Sequence, residues 1–72
     1  MPSDYSKVKG RIVEMCGTQG MFAKLIGLSE RTVSLKLSGR RPFYQSDIEK
    51  SLIALHLTHA DIPAYFFTLK VQ

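Results

Sequence analysis

The chain has 72 residues, which is room for one small domain, and its single cysteine, Cys16, excludes a disulfide within the chain. No apolar stretch is long enough to cross a membrane or to act as a secretion signal, so we expect a cytoplasmic protein. The net charge is +4, and it is concentrated in residues 1–41, where eight basic residues face three acidic ones. This imbalance favours an anionic partner, nucleic acid first, although ordinary solubility charge explains it equally well.

The first predicted helix covers the region from the candidate caps Ser3 and Asp4 to Gly17, a residue that commonly ends helices. The apolar residues that recur at helical spacing in it are Tyr5, Val8, Ile12 and Cys16. We expect this apolar face, including Cys16, to lie in the core.

Two short helices follow with almost no linker. The first begins at the cap Thr18 and ends at Gly27, and the second begins at the cap Ser29 and ends at Gly39. The residues predicted to face inward are Phe22, Leu25 and Ile26 in the first helix, and Val33 and Leu37 in the second. A joint this short, with a glycine free to adopt positive φ, predicts two helices far from antiparallel.

After the break at Pro42, the sequence Ser46–Glu49 predicts a capping box that starts a fourth helix. Its apolar positions are Ile48, Leu52, Ile53 and Leu55, and it is predicted to run to about Leu57. A weaker fifth helix has Thr58 or Asp61 as its cap and Pro63 in its first turn. The tail alternates apolar and polar residues over Phe67, Leu69 and Val71, which is typical of a short strand or an extended arm.

The predicted fold is therefore all-α: a single domain over residues 1–72, built as a compact bundle of four or five short helices. The helix-turn-helix lies at about residues 18–39, and a dimerisation region is predicted at 58–72.

The segment "TQGMFAKLIGLSERTVSLKLSGRR" resembles the helix-turn-helix of the phage Cro and CI repressor family, whose fold is lambda-repressor-like. The matching features are Gln19, Ala23, Gly27, Ser29, Val33, and Gly39 followed by basic residues. The resemblance implies a sequence-specific transcriptional regulator, a repressor, that binds a double-stranded DNA operator as a homodimer inside a bacterial or phage-infected cell. The dimer would form in solution or only on DNA.

The resemblance also implies site residues. The base-reading positions are Ser29, Glu30, Arg31, Thr32 and Leu35, and the positions for the DNA backbone are Thr18, Gln19, Ser34, Lys36, Arg40 and Arg41. Helical geometry supports an outer face here, because Leu35 points away from Val33 and Leu37 and lies on the side of Arg31. Arginine can read guanine, and an apolar side chain can touch a thymine methyl group. Glu30 can instead favour the dipole of its own helix.

One residue departs from the family pattern. The family usually has an apolar residue three positions after Val33, where this chain has Lys36. The apolar role passes to Leu37, so a small rotation of the helix is an alternative that would shift the base contacts by one residue.

The clustered aromatic and apolar residues near the end predict a dimer surface, formed by Tyr65, Phe66, Phe67, Leu69 and Val71. We expect no enzyme activity, cofactor, metal, membrane contact or small-molecule substrate, because no catalytic or metal-binding spacing is recognisable and His56 and His59 lack further ligands. The alternative function is a protein-interaction or antitoxin-like module that keeps the fold without sequence-specific DNA binding.

Overall fold

The computed structural model describes residues 4–67, and all regular structure in that range is helical. The elements are α1 (Ser6–Cys16), α2 (Gln19–Ile26), α3 (Glu30–Leu37), α4 (Gln45–Ala54), a 3-10 turn (His59–Asp61) and α5 (Ile62–Phe66). The predicted all-α bundle of short helices is confirmed. A strand or extended arm was predicted over Phe67, Leu69 and Val71. Phe67 directly follows α5, and Leu69 and Val71 lie outside the described residues.

The ends of α1 follow from local chemistry. The Asp4 carboxylate accepts hydrogen bonds from the backbone N–H of Ser6, at 2.9 Å, and from its hydroxyl. At the other end Gly17 has a φ of 85°, which glycine adopts without steric cost, and its N–H donates to the carbonyls of Ile12 and Val13. Gly17 is thus the predicted stop, while the candidate cap Ser3 lies outside the described residues.

The fourth helix differs from its prediction at both ends. It begins at Gln45, because the Asp47 carboxylate accepts the backbone N–H of Tyr44 at 2.9 Å, so the predicted Ser46–Glu49 capping box is wrong. It ends at Ala54 rather than near Leu57, since His56 takes a φ of 56° and the chain leaves the helix there.

The start of the last helix agrees with the sequence. The Asp61 carboxylate accepts the backbone N–H of Thr58 at 2.9 Å, which caps the 3-10 turn. Helix α5 then begins at Ile62, with Pro63 in its first turn, where a missing N–H costs nothing.

Helix α2 is the centre of the bundle and packs against α1, α3 and α4, while α5 packs against α1. The buried apolar core consists of Val8, Ile12, Phe22, Ala23, Ile26, Val33, Leu37, Ile48, Leu52, Leu55 and Phe66. Two predicted core residues are instead exposed: Leu25 at 58% and Ile53 at 80%. The inward face of α2 is Phe22, Ala23 and Ile26, which leaves Leu25 at its edge.

Long-range contacts join the ends of the described chain to its middle. The Phe43 ring, in the loop before α4, meets the rings of Tyr5 and Phe66 edge to face, at centroid distances of 5.1 and 5.2 Å. On another side, Arg11 of α1 donates through Nε to the carbonyl of Leu55 at 2.9 Å, which caps the end of α4.

Within residues 4–67, no helix has the length and apolar character needed to span a bilayer.

Candidate functional site

The two helices of the predicted motif have the expected caps. The Thr18 hydroxyl accepts the N–H of Met21, and the Ser29 hydroxyl accepts the N–H of Thr32, both at 3.1 Å. Between them Gly27 has a φ of 74°, and the N–H of Leu28 donates back to α2. Two short helices therefore lie at the predicted positions, α2 over Gln19–Ile26 and α3 over Glu30–Leu37, with a tight turn between them.

The outer face of α3 is polar and accessible. Arg31, Ser34 and Ser38 are exposed at helical spacing, whereas Leu35 on the same side is half-buried. The hydroxyl of Ser29 donates to that of Thr32 at 2.8 Å, so two of the predicted base-reading groups hydrogen-bond to each other. Arg31 is the one positively charged residue among the predicted base-reading positions, and its side chain is exposed.

Two arginines extend this surface beyond the end of α3. Gly39 has a φ of 82°, and the backbone N–H groups of Arg40 and Arg41 both donate to the carbonyl of Leu35. The side chains of Arg31, Arg40 and Arg41 are exposed and form no ion pair within residues 4–67. Helix α3 is about 12 Å long, so positive charge is available near both of its ends.

Lys36 cannot contact a DNA phosphate, which corrects its predicted role. It is only 3% exposed, and its Nζ donates to Asp47 Oδ2 at 2.7 Å and to the carbonyl of Pro42 at 2.8 Å. The ring of Tyr44 covers the same ammonium group at 4.6 Å from its centroid. The charge of Lys36 is therefore used inside the protein, to join α3 to the start of α4.

The interaction with Lys36 also determines the charge state of the Asp47 carboxyl. Burial raises the pKa of the Asp47 carboxyl, but hydrogen bonds from Lys36 and from the backbone of Tyr44, with the positive charge nearby, outweigh it and the pKa is lowered. Asp47 is therefore held as a carboxylate at neutral pH, as the partner that a buried ammonium group requires.

The roll of α3 follows from the same contacts. Val33, Lys36 and Leu37 are all buried, so the position that is usually apolar in the Cro and CI family still faces inward. A small rotation of the helix is not needed to accommodate Lys36, because its ion pair with Asp47 replaces the apolar contact. Arg31 keeps the outward direction expected for it.

A carboxylate lies close to the first turn of α2. Glu30 Oε2 is 3.2 Å from the position that a Cβ atom on Gly20 would take, and Gly20 is the second residue of α2. A phosphate bound by Gln19 and the free N–H groups at this helix end would lie near that negative charge. The geometry therefore disfavours the phosphate site predicted at Thr18 and Gln19.

The predicted dimer surface is only partly accessible. Phe66 is 2% exposed and belongs to the core, so its assignment to an interface was wrong: its ring is already covered by Phe43 and the helices. Tyr65 is half-buried below Lys7, and Phe67 is exposed. Leu69 and Val71 lie outside the described residues.

Sequence reasoning missed an apolar groove between α2 and α4. Its volume is about 280 Å³, and it is lined by Leu25, Lys50, Ile53, Ala54 and His56. The available signal was the spacing in α4: Ile48, Leu52 and Leu55 define an inward face, and Ile53 lies next to it rather than on it. No group of three or more possible metal ligands occurs within residues 4–67.

Comparison with solved structures finds a full-length relative. The chain shares 50% sequence identity with the modulator of repression of the temperate bacteriophage TP901-1 from Lactococcus lactis. The structure superposes on the solution structure of that protein with a TM-score of 0.82. The match covers 100% of this chain and 97% of that one. The chain is thus similar throughout to a phage regulatory protein, which agrees with the phage connection implied by the motif.

Comparison with curated proteins gives no match. The matching protein family does not carry the name of the Cro and CI repressors that the motif resembles. Its model covers residues 1–69, and the chain belongs to this family, which is described as a protein of unknown function (DUF739).

Proposed function

We propose that this protein modulates phage repression by binding a repressor protein. The observation that carries this proposal is its 50% identity, over the whole chain, to a phage modulator of repression. At that identity and a TM-score of 0.82, the two proteins share a fold. A modulator acts on repression that another protein exerts, so a protein contact is its simplest mode of action.

Features of the helix-turn-helix support this choice over operator binding. Lys36 is committed to Asp47 inside the protein, and the Glu30 carboxylate lies near the helix end that would otherwise attract a phosphate. Both features reduce the electrostatic attraction for DNA, which supplies much of the affinity of operator-binding proteins. Exposed apolar side chains at Leu25 and Ile53 offer contact area for a protein instead.

The proposal is tested by mixing the purified chain with the repressor protein from the same genome. We expect a complex in light scattering and calorimetry, and a change in repressor occupancy of its operator when the chain is added. The control is the same operator without repressor, where the chain should have no effect. A chain that binds the operator alone and ignores the repressor would contradict the proposal.

Sequence-specific DNA binding by a dimer is the second candidate, and the exposed Arg31, Arg40 and Arg41 favour it. These side chains have no ion-pair partner within residues 4–67 and lie where a recognition helix would approach DNA. Binding to duplex DNA should then weaken steeply between about 50 and 200 mM salt. Arg31→Ala should relax specificity at one base position, whereas Arg40→Ala should weaken all sequences alike.

A further inference from the structure

The groove between α2 and α4 exposes one large apolar side chain from each of the two helices. Leu25 is 58% exposed and Ile53 is 80% exposed, and both line the same groove of about 280 Å³. That volume is large enough for aliphatic side chains inserted from outside but too small for a whole helix. A helix lying across the groove could bury both residues by inserting one face.

The groove is framed by rigid backbone. Its rim includes His56, which holds a φ of 56° at the end of α4. Arg11 donates to the carbonyl of Leu55 at 2.9 Å and to that of His56 at 3.4 Å, which fixes this corner against α1. A preformed groove loses little conformational entropy when a partner binds.

The charge around the groove selects its partner. Lys50 lines it and is exposed, His56 lines it as well, and none of its lining residues is acidic. The chain as a whole carries a net charge of +4. A two-fold contact centred on this groove would bring Lys50 close to the Lys50 of the second copy, so a like partner is disfavoured there and an acidic one is favoured.

We propose that the Leu25–Ile53 groove binds an amphipathic helix of a protein partner, one whose aliphatic residues are flanked by carboxylates. The aliphatic side chains cover Leu25 and Ile53, and a carboxylate pairs with Lys50. This inference rests on the proposed function in that the repressor is the expected source of the helix.

The experiment uses the full chain and two probes. The first is the repressor from the same genome, and the second is a designed helical peptide with leucines on one face and glutamates beside them. Ile53→Asp should lower the affinity for both probes at least about tenfold, because it places a charge against an apolar face. Lys50→Glu should do the same through charge repulsion.

Matched controls lie on α1. Val13 and Lys9 are exposed and do not line the groove, so Val13→Asp and Lys9→Glu should change affinity less than about twofold. Thermal unfolding of each variant verifies that it folds. We expect Ile53→Asp to fold, because the Ile53 side chain is highly exposed.

The outcomes separate the two proposals. Repressor binding that survives both Ile53→Asp and Lys50→Glu overturns the groove and leaves the proposed function intact. Absence of repressor binding by the unsubstituted chain overturns the proposed function, and the peptide then decides the groove alone. If a peptide with lysines in place of the glutamates binds equally well, the proposal of an acidic partner is overturned. If the unsubstituted chain has twice the mass of one chain in solution and Ile53→Asp abolishes this, the groove binds a second copy and the proposal is also overturned.

Discussion

The two faces of α3 use their cations in opposite ways. On the outer face, Arg31 is exposed and has no ion-pair partner within residues 4–67. On the inner face, Lys36 is buried and bound to Asp47 at 2.7 Å. Both residues add one unit to the net charge, yet only one adds to the electrostatic surface. The difference teaches that a count of basic residues overstates the positive charge that a partner meets, because Asp47 neutralises Lys36 inside the protein.

Removal of the buried cation should have the largest effect. Lys36→Met should lower the free energy of unfolding by about 3 kcal/mol, because Asp47 is left buried without its partner. Urea unfolding measures it. The double variant with Asp47→Asn should recover at least about 1 kcal/mol, since it removes the stranded charge. A loss in the double variant equal to the sum of the losses in the two single variants would mean that the two side chains are energetically independent.

Alanine substitutions of the two leucines on either side of Lys36 test whether the outer and inner faces of α3 differ in packing. Leu37 is buried, so Leu37→Ala should cost about 2 to 3 kcal/mol through lost burial and a cavity. Leu35 is half-buried, and Leu35→Ala should cost about 1 kcal/mol. The same urea series compares them. If Leu35→Ala costs as much as Leu37→Ala, the outer face belongs to the core and is not a free surface.

Acid should weaken the inner face selectively. The pKa of Asp47 is lowered in the folded protein relative to an ordinary aspartate, whose pKa is about 3.9 in an unfolded chain. Its stabilising contribution is therefore complete above that value and is lost as the pH falls through the folded pKa. We expect the stability difference between the unsubstituted chain and Asp47→Asn to shrink below about pH 4. A difference that stays constant down to pH 2.5 would contradict the ion pair.

The smallest effect is expected on the outer face. Arg31→Met should change the free energy of unfolding by less than about 0.5 kcal/mol, because the side chain makes no ion pair in the described chain. Urea unfolding of Arg31→Met and of Lys36→Met gives a matched comparison, because both variants replace a cationic side chain by methionine and the two positions are five residues apart. A loss near that of Lys36→Met would show that the outer face also carries structural charge.

Local signals predicted most of the fold. Each of these local features acts within five residues, so the sequence alone reveals them: the caps Thr18 and Ser29, the stops Gly17, Gly27 and Gly39, and the position of Pro63. The same reasoning predicted the outward direction of Arg31. These features depend on short-range backbone hydrogen bonds and on positive φ at glycine.

The misses have long-range causes. Nothing near Lys36 indicates burial, because its partner Asp47 lies eleven residues away in another helix. The same aspartate explains the wrong start of α4: Asp47 accepts both the Lys36 ammonium and the backbone N–H of Tyr44, so the helix begins at Gln45, before Ser46. Phe66 was misassigned because its cover, Phe43, lies far along the chain. The Leu25–Ile53 groove was missed because both residues lie next to the inward faces of their helices. Apolar periodicity alone does not distinguish such a position from a buried one.

The edge-to-face contacts of Phe43 with Tyr5 and Phe66 have a consequence for local opening. Release of α5 would uncover Phe43, and release of the segment before α1 would uncover the same ring, so each event removes support from the other. The amide hydrogens of α1 and α5 should therefore exchange with solvent deuterium as one cooperative unit, although these helices are far apart in the sequence.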